Sequence, residues 1–293
     1  MSNLREFQVT SESELLPFLL DLPIGLSRKQ AKDLLKFQEV AVRGQARVRH
    51  DTRLLAGDVV EIGLARRDDN RSLERAGLRI VHMDDAIVVI DKPAGLLSMG
   101  SEREKEKTAY RMLNEHLKAV AKSPRQQIFI VHRLDRETSG LMMFARSESI
   151  QAILQRSWKD VTKRYLAIVG GVLPAASGTL RDQLKEGKSF KVHRVAQGGD
   201  LAITHYRVLK TYGSRSLLEL TIETGRKHQI RVQLAAFGHP ILGDRNYGVP
   251  DDGARRLALH SCELKVRHPV SHAPMEFHSE LPDALKRLLP RRR

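Results

Sequence analysis

His132-Arg133-Leu134-Asp135-Arg136-Glu137-Thr138-Ser139-Gly140 sets one carboxylate between two arginines and then turns the backbone through Thr-Ser-Gly. The flanking guanidinium groups hold Asp135 ionised, because a nearby positive charge favours the anion. An ionised carboxylate at the mouth of a turn can serve as a nucleophile or a base. Taken alone, the same run also describes a solvated ion pair capping a strand, and such pairs do little.

Working outward, Ile128–Val131 and Leu141–Phe144 read as strands on either side of the Asp135 turn. Upstream, Ala86-Ile87-Val88-Val89-Ile90 is continuously apolar, which suits a strand buried on both faces. Asp91-Lys92-Pro93-Ala94-Gly95 then turns the chain. Helical spacing covers Thr108 to Lys122, through Tyr110, Leu113, Leu117 and Val120, and a second helix is expected over Ser149–Trp158. Arg164–Val169 reads as a strand with Tyr165 near its start beside Lys163 and Arg164; by itself Tyr165 also fits a core or edge position. Leu217–Ile222 is a further strand, followed by an expected helix from Arg226 to Phe237. Strands and helices are interspersed without a regular βαβ alternation, which predicts an α+β fold with a mixed, largely antiparallel central sheet and flanking helices.

Gly225-Arg226-Lys227-His228-Gln229-Ile230-Arg231-Val232-Gln233-Leu234, with Gly238-His239-Pro240-Ile241-Leu242-Gly243-Asp244 after it, is the second dense run. If Arg226 opens the helix, its free amides favour an anion such as phosphate. On that helix His228 and Arg231 share a face, and Ile230 and Leu234 form the apolar side.

Residues 11–64 form a separate unit, with a polar linker over 65–79 and the larger domain over 80–293. Leu15, Leu16, Phe18 and Leu19 line one helical face, and Pro23 and Gly25 end that helix. A second helix, Arg28 to Phe37, turns Ala31, Leu34 and Leu35 inward and Arg28, Lys29, Lys32 and Lys36 outward. Val40 and Val42 form a short strand into the Gly44 turn, and Val59–Ile62 closes the unit. Eight Lys/Arg against three acids between Arg28 and Arg53 gather charge where a phosphate backbone can lie.

The 293 residues carry 50 Lys+Arg against 35 acids, a net +15 that points to a polyanionic partner, nucleic acid ahead of membrane. Cys262 is the sole cysteine, which excludes a disulfide framework and a zinc site built on several thiolates. No run approaches the roughly 20 apolar residues of a membrane span, and none reads as a signal peptide. A cytoplasmic, monomeric protein is the expectation.

Two resemblances sharpen this reading. The first unit resembles the ribosomal protein S4-like RNA-binding domain through Ser27-Arg28-Lys29-Gln30-Ala31, Val40-Ala41-Val42-Arg43-Gly44 and Gly57-Asp58-Val59-Val60. That implies RNA contacts by Arg28, Lys29, Lys32, Lys36 and Arg43, the last standing where many members have asparagine. From about Ile80 to Pro282 the chain resembles the RluA-type (RluA/RluD-like) pseudouridine synthases. The Asp135 motif, the Gly225–Arg231 run, Gly238–Asp244, Leu259-His260, His268-Pro269, Phe277 and Leu281-Pro282 carry that likeness. It implies the pseudouridine synthase fold and a set of roles. Asp135 matches the catalytic aspartate, and Arg231 the arginine that pairs with it. Tyr165 matches the tyrosine that stacks on the uracil, and Arg133 the arginine that fills the gap left by the flipped uridine. Ile230 matches an apolar residue against the base. Arg226, His228 and Lys92 complete the expected substrate contacts. Gln233, where histidine is common, and the polar Lys185–Lys191 connection are departures that could tune substrate choice.

Isomerising uridine cuts N1–C1′ and rejoins the uracil through C5, without net redox change or group transfer, so neither a cofactor nor a metal is expected. A base inside a helix must first be flipped, at a cost of a few kcal/mol. Large-subunit ribosomal RNA is the expected substrate, with tRNA as the alternative. The competing classes are a non-catalytic RNA-binding or ribosome-assembly protein on the same fold, and an RNA glycosylase that would release free uracil.

Overall fold

The computed structural model describes residues 4–36, 40–45, 48–63, 73, 77–100, 104, 107–120, 127–187, 190–250 and 252–289. The side chains of Leu4, Arg5, Lys29, Gln30, Asp33 and Lys36 lie outside that description. The chain divides into two compact units, Met1–Ser72 and Leu73–Arg293. Most of the linker expected over 65–79, and the Arg291–Arg293 tail, fall outside the described residues.

In the first unit the elements run β1 (Leu4–Gln8), β2 (Ser13–Glu14), α1 (Leu15–Asp21), α2 (Arg28–Lys36), β3 (Val40–Val42), β4 (Arg53–Leu54) and β5 (Val59–Gly63). Leu15, Leu16 and Leu19 of α1 meet Ala31 and Leu34 of α2 in one core with Val40, Val42, Val60 and Ile62. The unit starts ahead of the expected Ser11, because β1 pairs antiparallel with β5 from Leu4↔Gly63 to Gln8↔Val59. Arg5, Glu6 and Gln8 make that strand too polar to stand out in the sequence.

The basic stretch is also less open than its composition suggests. Arg43, at φ +52°, forks onto both oxygens of Asp58 at 2.6 Å. Arg49 pairs with Asp51 and Arg53 with Glu12. Arg28 and Lys32 are exposed, whereas the side chains expected of Lys29 and Lys36 lie outside the description.

The second unit contains β6 (Arg79–Met83), β7 (Ile87–Lys92), α3 (Ala109–Val120), β8 (Phe129–Ile130), β9 (Ser139–Ala145), α4 (Glu148–Arg156), β10 (Thr162–Gly170), β11 (Ser177–Glu186), β12 (Val192–Val195), β13 (Asp200–Tyr212), β14 (Arg215–Ile222), α5 (Gln229–Ala236), β15 (Leu259–Arg267), β16 (Pro274–His278) and α6 (Asp283–Lys286). The sheet runs β12-β11-β13-β14-β10-β15-β9-β7-β6, with β16 on β15 and β8 on β9. Its pairs are antiparallel except β15 with β9, which is the expected mixed, largely antiparallel α+β architecture.

Two cores lie on opposite faces of this sheet. Val88, Ile90, Met142 and Phe144 point to one, where Leu113 and Leu117 of α3 cover them. Ile87, Val89, Leu141 and Met143 point to the other, covered by Leu154 of α4. Alternate residues of each strand therefore enter different cores, which is why Ala86–Ile90 is continuously apolar. Each fully buried side chain of this size contributes roughly 1.5–3 kcal/mol.

Three helix boundaries differ from expectation. The helix expected over Ser149–Trp158 stops at Arg156 and gives way to a 3₁₀ turn over Trp158–Asp160. That expected over Thr108–Lys122 starts at Ala109 and is helical to Val120, and residues 121 and 122 lie outside the description. The helix expected from Arg226 begins only at Gln229, because His228 is left-handed (φ +53°).

Candidate active site

Asp135 sits in the turn that leads into β9, and that turn is tied to the loop after β7. The Ser98 hydroxyl donates to the Leu134 carbonyl at 2.7 Å and accepts the Leu134 N–H at 3.1 Å. The Gly95 N–H donates to the Arg136 carbonyl at 2.8 Å, and Arg136 Nε donates back to the Gly95 carbonyl at 2.9 Å.

Lys92 is the pin beneath both loops. Its ammonium donates to the carbonyls of Pro93 (2.9 Å), Leu96 (2.7 Å) and Arg136 (3.2 Å). The side chain is fully buried, so Lys92 cannot be the substrate contact expected of it. Burial pulls its pKa down to about 7, against the opposing charges of Asp135 and Glu137.

Gly140 fixes where this turn meets β15. A Cβ there would stand 2.1 Å from the Ser261 carbonyl oxygen, and its φ of +112° suits glycine. That close approach allows β9 to pair parallel with β15, His260↔Ser139 and Ser261↔Gly140.

Arg231, in the first turn of α5, reaches Asp135 Oδ2 through Nη1 at 3.1 Å. Its other edge is clamped by Asp244: Nε to Oδ2 at 2.7 Å and Nη2 to Oδ1 at 2.8 Å. Such bidentate pairs fix the guanidinium plane. Asp244 Oδ1 also accepts the N–H groups of Asn246 (2.9 Å) and Tyr247 (3.1 Å). Burial opposes charge on both partners, yet their contact keeps Arg231 above, and Asp244 below, their usual ranges. Asp244 went unassigned in the sequence; its signal is the carboxylate directly after Gly243, whose φ is +71°.

Tyr165 enters through a bulge. β10 and β15 pair as Arg164↔Glu263 and then Tyr165↔Ser261, leaving Cys262 as the extra residue. Bulges of this kind re-aim a side chain. Burial, and then the Asp135 charge, raise the phenol well above its usual pKa, so Tyr165 stays neutral.

These groups line one cavity of about 910 Å³, together with Arg133, Arg136, Arg226, Lys227, His228, Arg245, Arg255 and Arg256. Lys227, Arg245, Arg255 and Arg256 were missed because no pattern separates them from other surface cations. Arg133 is exposed, with Nη1 3.7 Å from Met99 Sδ. Arg226 is exposed and donates to the Leu201 carbonyl at 3.1 Å. Its own N–H is taken by Gln229 Oε1 at 3.0 Å, so the expected helix-end anion site is not formed there.

Two further expectations fail. Ile230 packs into the main core, and the apolar cleft wall is Leu97, Leu134, Ile222 and Leu257 instead. Gln233 is buried and bonded to Thr204, Leu180, Asp182 and Ala202, so it braces β11 and β13 away from the cleft. Of the polar Lys185–Lys191 connection, residues 188 and 189 lie outside the description.

His228 places Nε2 4.0 Å from Asp135 Oδ2, while Nδ1 lies 2.9 Å from the Tyr247 hydroxyl. The same hydroxyl oxygen accepts the Val192 N–H at 3.0 Å. Burial lowers the His228 pKa, opposed by Asp135 and assisted by Arg231 and Lys227. A neutral imidazole fixed at its far nitrogen results.

Among the described residues, three candidate metal-ligand atoms converge at Glu263, Glu276 and His278. Arg164 lies 3.1 Å from Glu263, and Lys265 lies 2.6 Å from Glu276. Those cations already balance the carboxylates, so the group is an ion-pair cluster outside the cleft.

Comparison with known proteins adds independent findings. The family model described as RNA pseudouridylate synthase matches residues 86–236. The ribosomal large subunit pseudouridine synthase D of Vibrio cholerae is 34% identical over 280 residues, covering 90% of this chain and 86% of that protein. Its namesake from Salmonella typhimurium is 33% identical over 281 residues, covering 90% and 85%. The solved structure of human RNA pseudouridylate synthase domain containing 4 superposes with a TM-score of 0.61 at 26% identity, covering 74% of this chain and 92% of that one.

Proposed function

The chain belongs to the RNA pseudouridylate synthase family, and from that premise we propose that it isomerises uridine to pseudouridine in large-subunit ribosomal RNA. The observation that carries this reading is the Asp135–Arg231 contact of 3.1 Å inside a cavity rimmed by arginines. The rim attracts phosphates, and its cationic field favours an RNA strand over a neutral ligand. The names of the relatives favour ribosomal RNA over tRNA.

In this reading the target base is flipped from its helix into the cleft, and Arg133 occupies the vacancy. The neutral ring of Tyr165 stacks on the uracil, offsetting the flipping cost by about 1–3 kcal/mol. Asp135 is the essential carboxylate. Arg231 holds it in place through the 3.1 Å charge-assisted contact. During turnover N1–C1′ breaks, C5–C1′ forms, N1 gains a proton and the C5 proton leaves to water. The N-terminal unit acts as an S4-like RNA-binding module, with exposed Arg28 and Lys32 as its phosphate contacts. A single chain working in the cytoplasm fits the lone cysteine, Cys262.

Tritium release tests this. Wild-type protein incubated with C5-tritiated ribosomal RNA is expected to release label into water, while C5-tritiated tRNA stays intact. Release from tRNA alone would overturn the substrate assignment. Abasic sites with free uracil would indicate a glycosylase, and neither product would indicate a binding protein.

A further inference from the structure

We propose that a slot between the β11–β12 hairpin and α5 binds one nucleotide of the substrate RNA beside the target uridine. This deepens the reading above and rests on it. The slot has a volume of about 450 Å³ and is separate from the Asp135 cavity. Its walls are Val232, Ala235 and Ala236 of α5 with Val192 of β12, and Tyr247 supplies an aromatic side. Lys191, His193 and Arg194 also line it, and among the described residues no carboxylate does. An apolar slot with one aromatic wall and a cationic lining matches a nucleobase with its attached phosphate.

Charge and continuity select this occupant. The Lys191 ammonium sits 5.5 Å from the Tyr247 ring centre. Arg194 lies 3.3 Å from Asp182 and remains half exposed. Phe190, beside Lys191 on the hairpin, is 74% exposed, with the Lys227 ammonium 5.5 Å from its ring. Exposed aromatics interleaved with cations track single-stranded nucleic acid.

Tyr247 lines the slot and touches two residues of the Asp135 cavity. Its ring lies 5.2 Å from the Arg231 guanidinium, and its hydroxyl is 2.9 Å from His228 Nδ1. Val232, in the slot, directly follows Arg231. In this proposal the base next to the target uridine enters the slot while the uridine reaches Asp135.

The test uses the full chain and C5-tritiated large-subunit ribosomal RNA. Ala236→Trp fills the slot from an exposed helix position; Ala236→Ser leaves it open and controls for folding. Ala236→Trp is expected to raise KM about tenfold with kcat unchanged, as loss of one stacked base would. Ala236→Ser should match wild type. Lys191→Ala should lessen the salt slope of RNA binding by about 0.7, the share of one phosphate on a single strand. Unchanged KM in Ala236→Trp with an unchanged salt slope in Lys191→Ala would overturn the proposal and leave the slot to a protein segment. A fall in kcat at constant KM would also overturn it. If wild type releases no tritium from any RNA, the synthase reading itself fails. RNA retention on filters by the same variants then decides the slot alone.

Discussion

Asp244→Asn probes the clamp on which the site geometry depends. The substitution keeps the side-chain volume and removes one charge. Asp244 accepts four donors: Arg231 Nε and Nη2, and the N–H groups of Asn246 and Tyr247. An amide offers one oxygen, so in either flip its NH₂ faces other donors and leaves some unsatisfied. The carboxylate is fully buried and Arg231 is only 7% exposed, so solvent replaces little of the loss. Removing one partner of such a pair costs about 3–5 kcal/mol. Arg231 retains Asp135 as a second partner, which favours the lower end of that range. At roughly 2–4 °C per kcal/mol for domains of this size, melting should fall by about 6–12 °C. Freed from its clamp, the guanidinium no longer fixes Asp135, and a misplacement near 1 Å costs about 10²-fold in turnover. Thermal denaturation and single-turnover tritium release, run below the variant's melting point, read both effects. Arg231→Leu with Asp244→Leu should recover only part of the stability, because the Asn246 and Tyr247 N–H groups still lose their acceptor, and should not recover turnover. Unchanged melting and turnover in Asp244→Asn would refute the reasoning.

Substitutions at three more positions test separate links. If the Tyr165 ring stacks on the base as proposed, Tyr165→Phe should be mild in turnover and Tyr165→Ala severe, since the phenol stays neutral; equal, negligible effects in tritium release would remove Tyr165 from the site. Gly140→Ala should lower the melting temperature and turnover together, because a Cβ 2.1 Å from the Ser261 oxygen forces β9 from β15; wild-type melting would disprove that constraint. Burial, then the Lys163 charge, depress the His132 pKa from its ordinary 6.5 to about 3. The unfolded chain thus takes up this proton first as pH falls, and His132's stabilising contribution, present above pH 6.5, is lost between 6.5 and about 3. The unfolding free energy of wild type minus that of His132→Asn should decline across that window; parallel pH curves would contradict it.

The sequence discloses the parts of the site that lie in short motifs. Asp135 and Arg231 are legible because each is locked into a local run, and β7 is legible because both its faces are buried. The β11–β13 layer is not. Only Leu180 and Leu184 of β11 are buried, so its polar edge carries no period. Tyr165 is aimed by a bulge at Cys262, a register property of two strands far apart in sequence. The start of α5 moved because Gln229 bonds Thr224, Arg226, Ile203 and Thr204, stabilising a left-handed His228 that helix propensity does not anticipate. Lys92 misled for a related reason: a lysine in a turn normally faces solvent, whereas this one meets three carbonyls.

The most direct measurement compares Asp135→Asn with wild type in tritium release from C5-labelled ribosomal RNA, alongside the affinity of each protein for that RNA. The expected result is complete loss of release with affinity nearly unchanged. Release at the wild-type rate, or affinity lost in step with activity, would contradict the role of the Asp135 carboxylate as the group that performs the isomerisation.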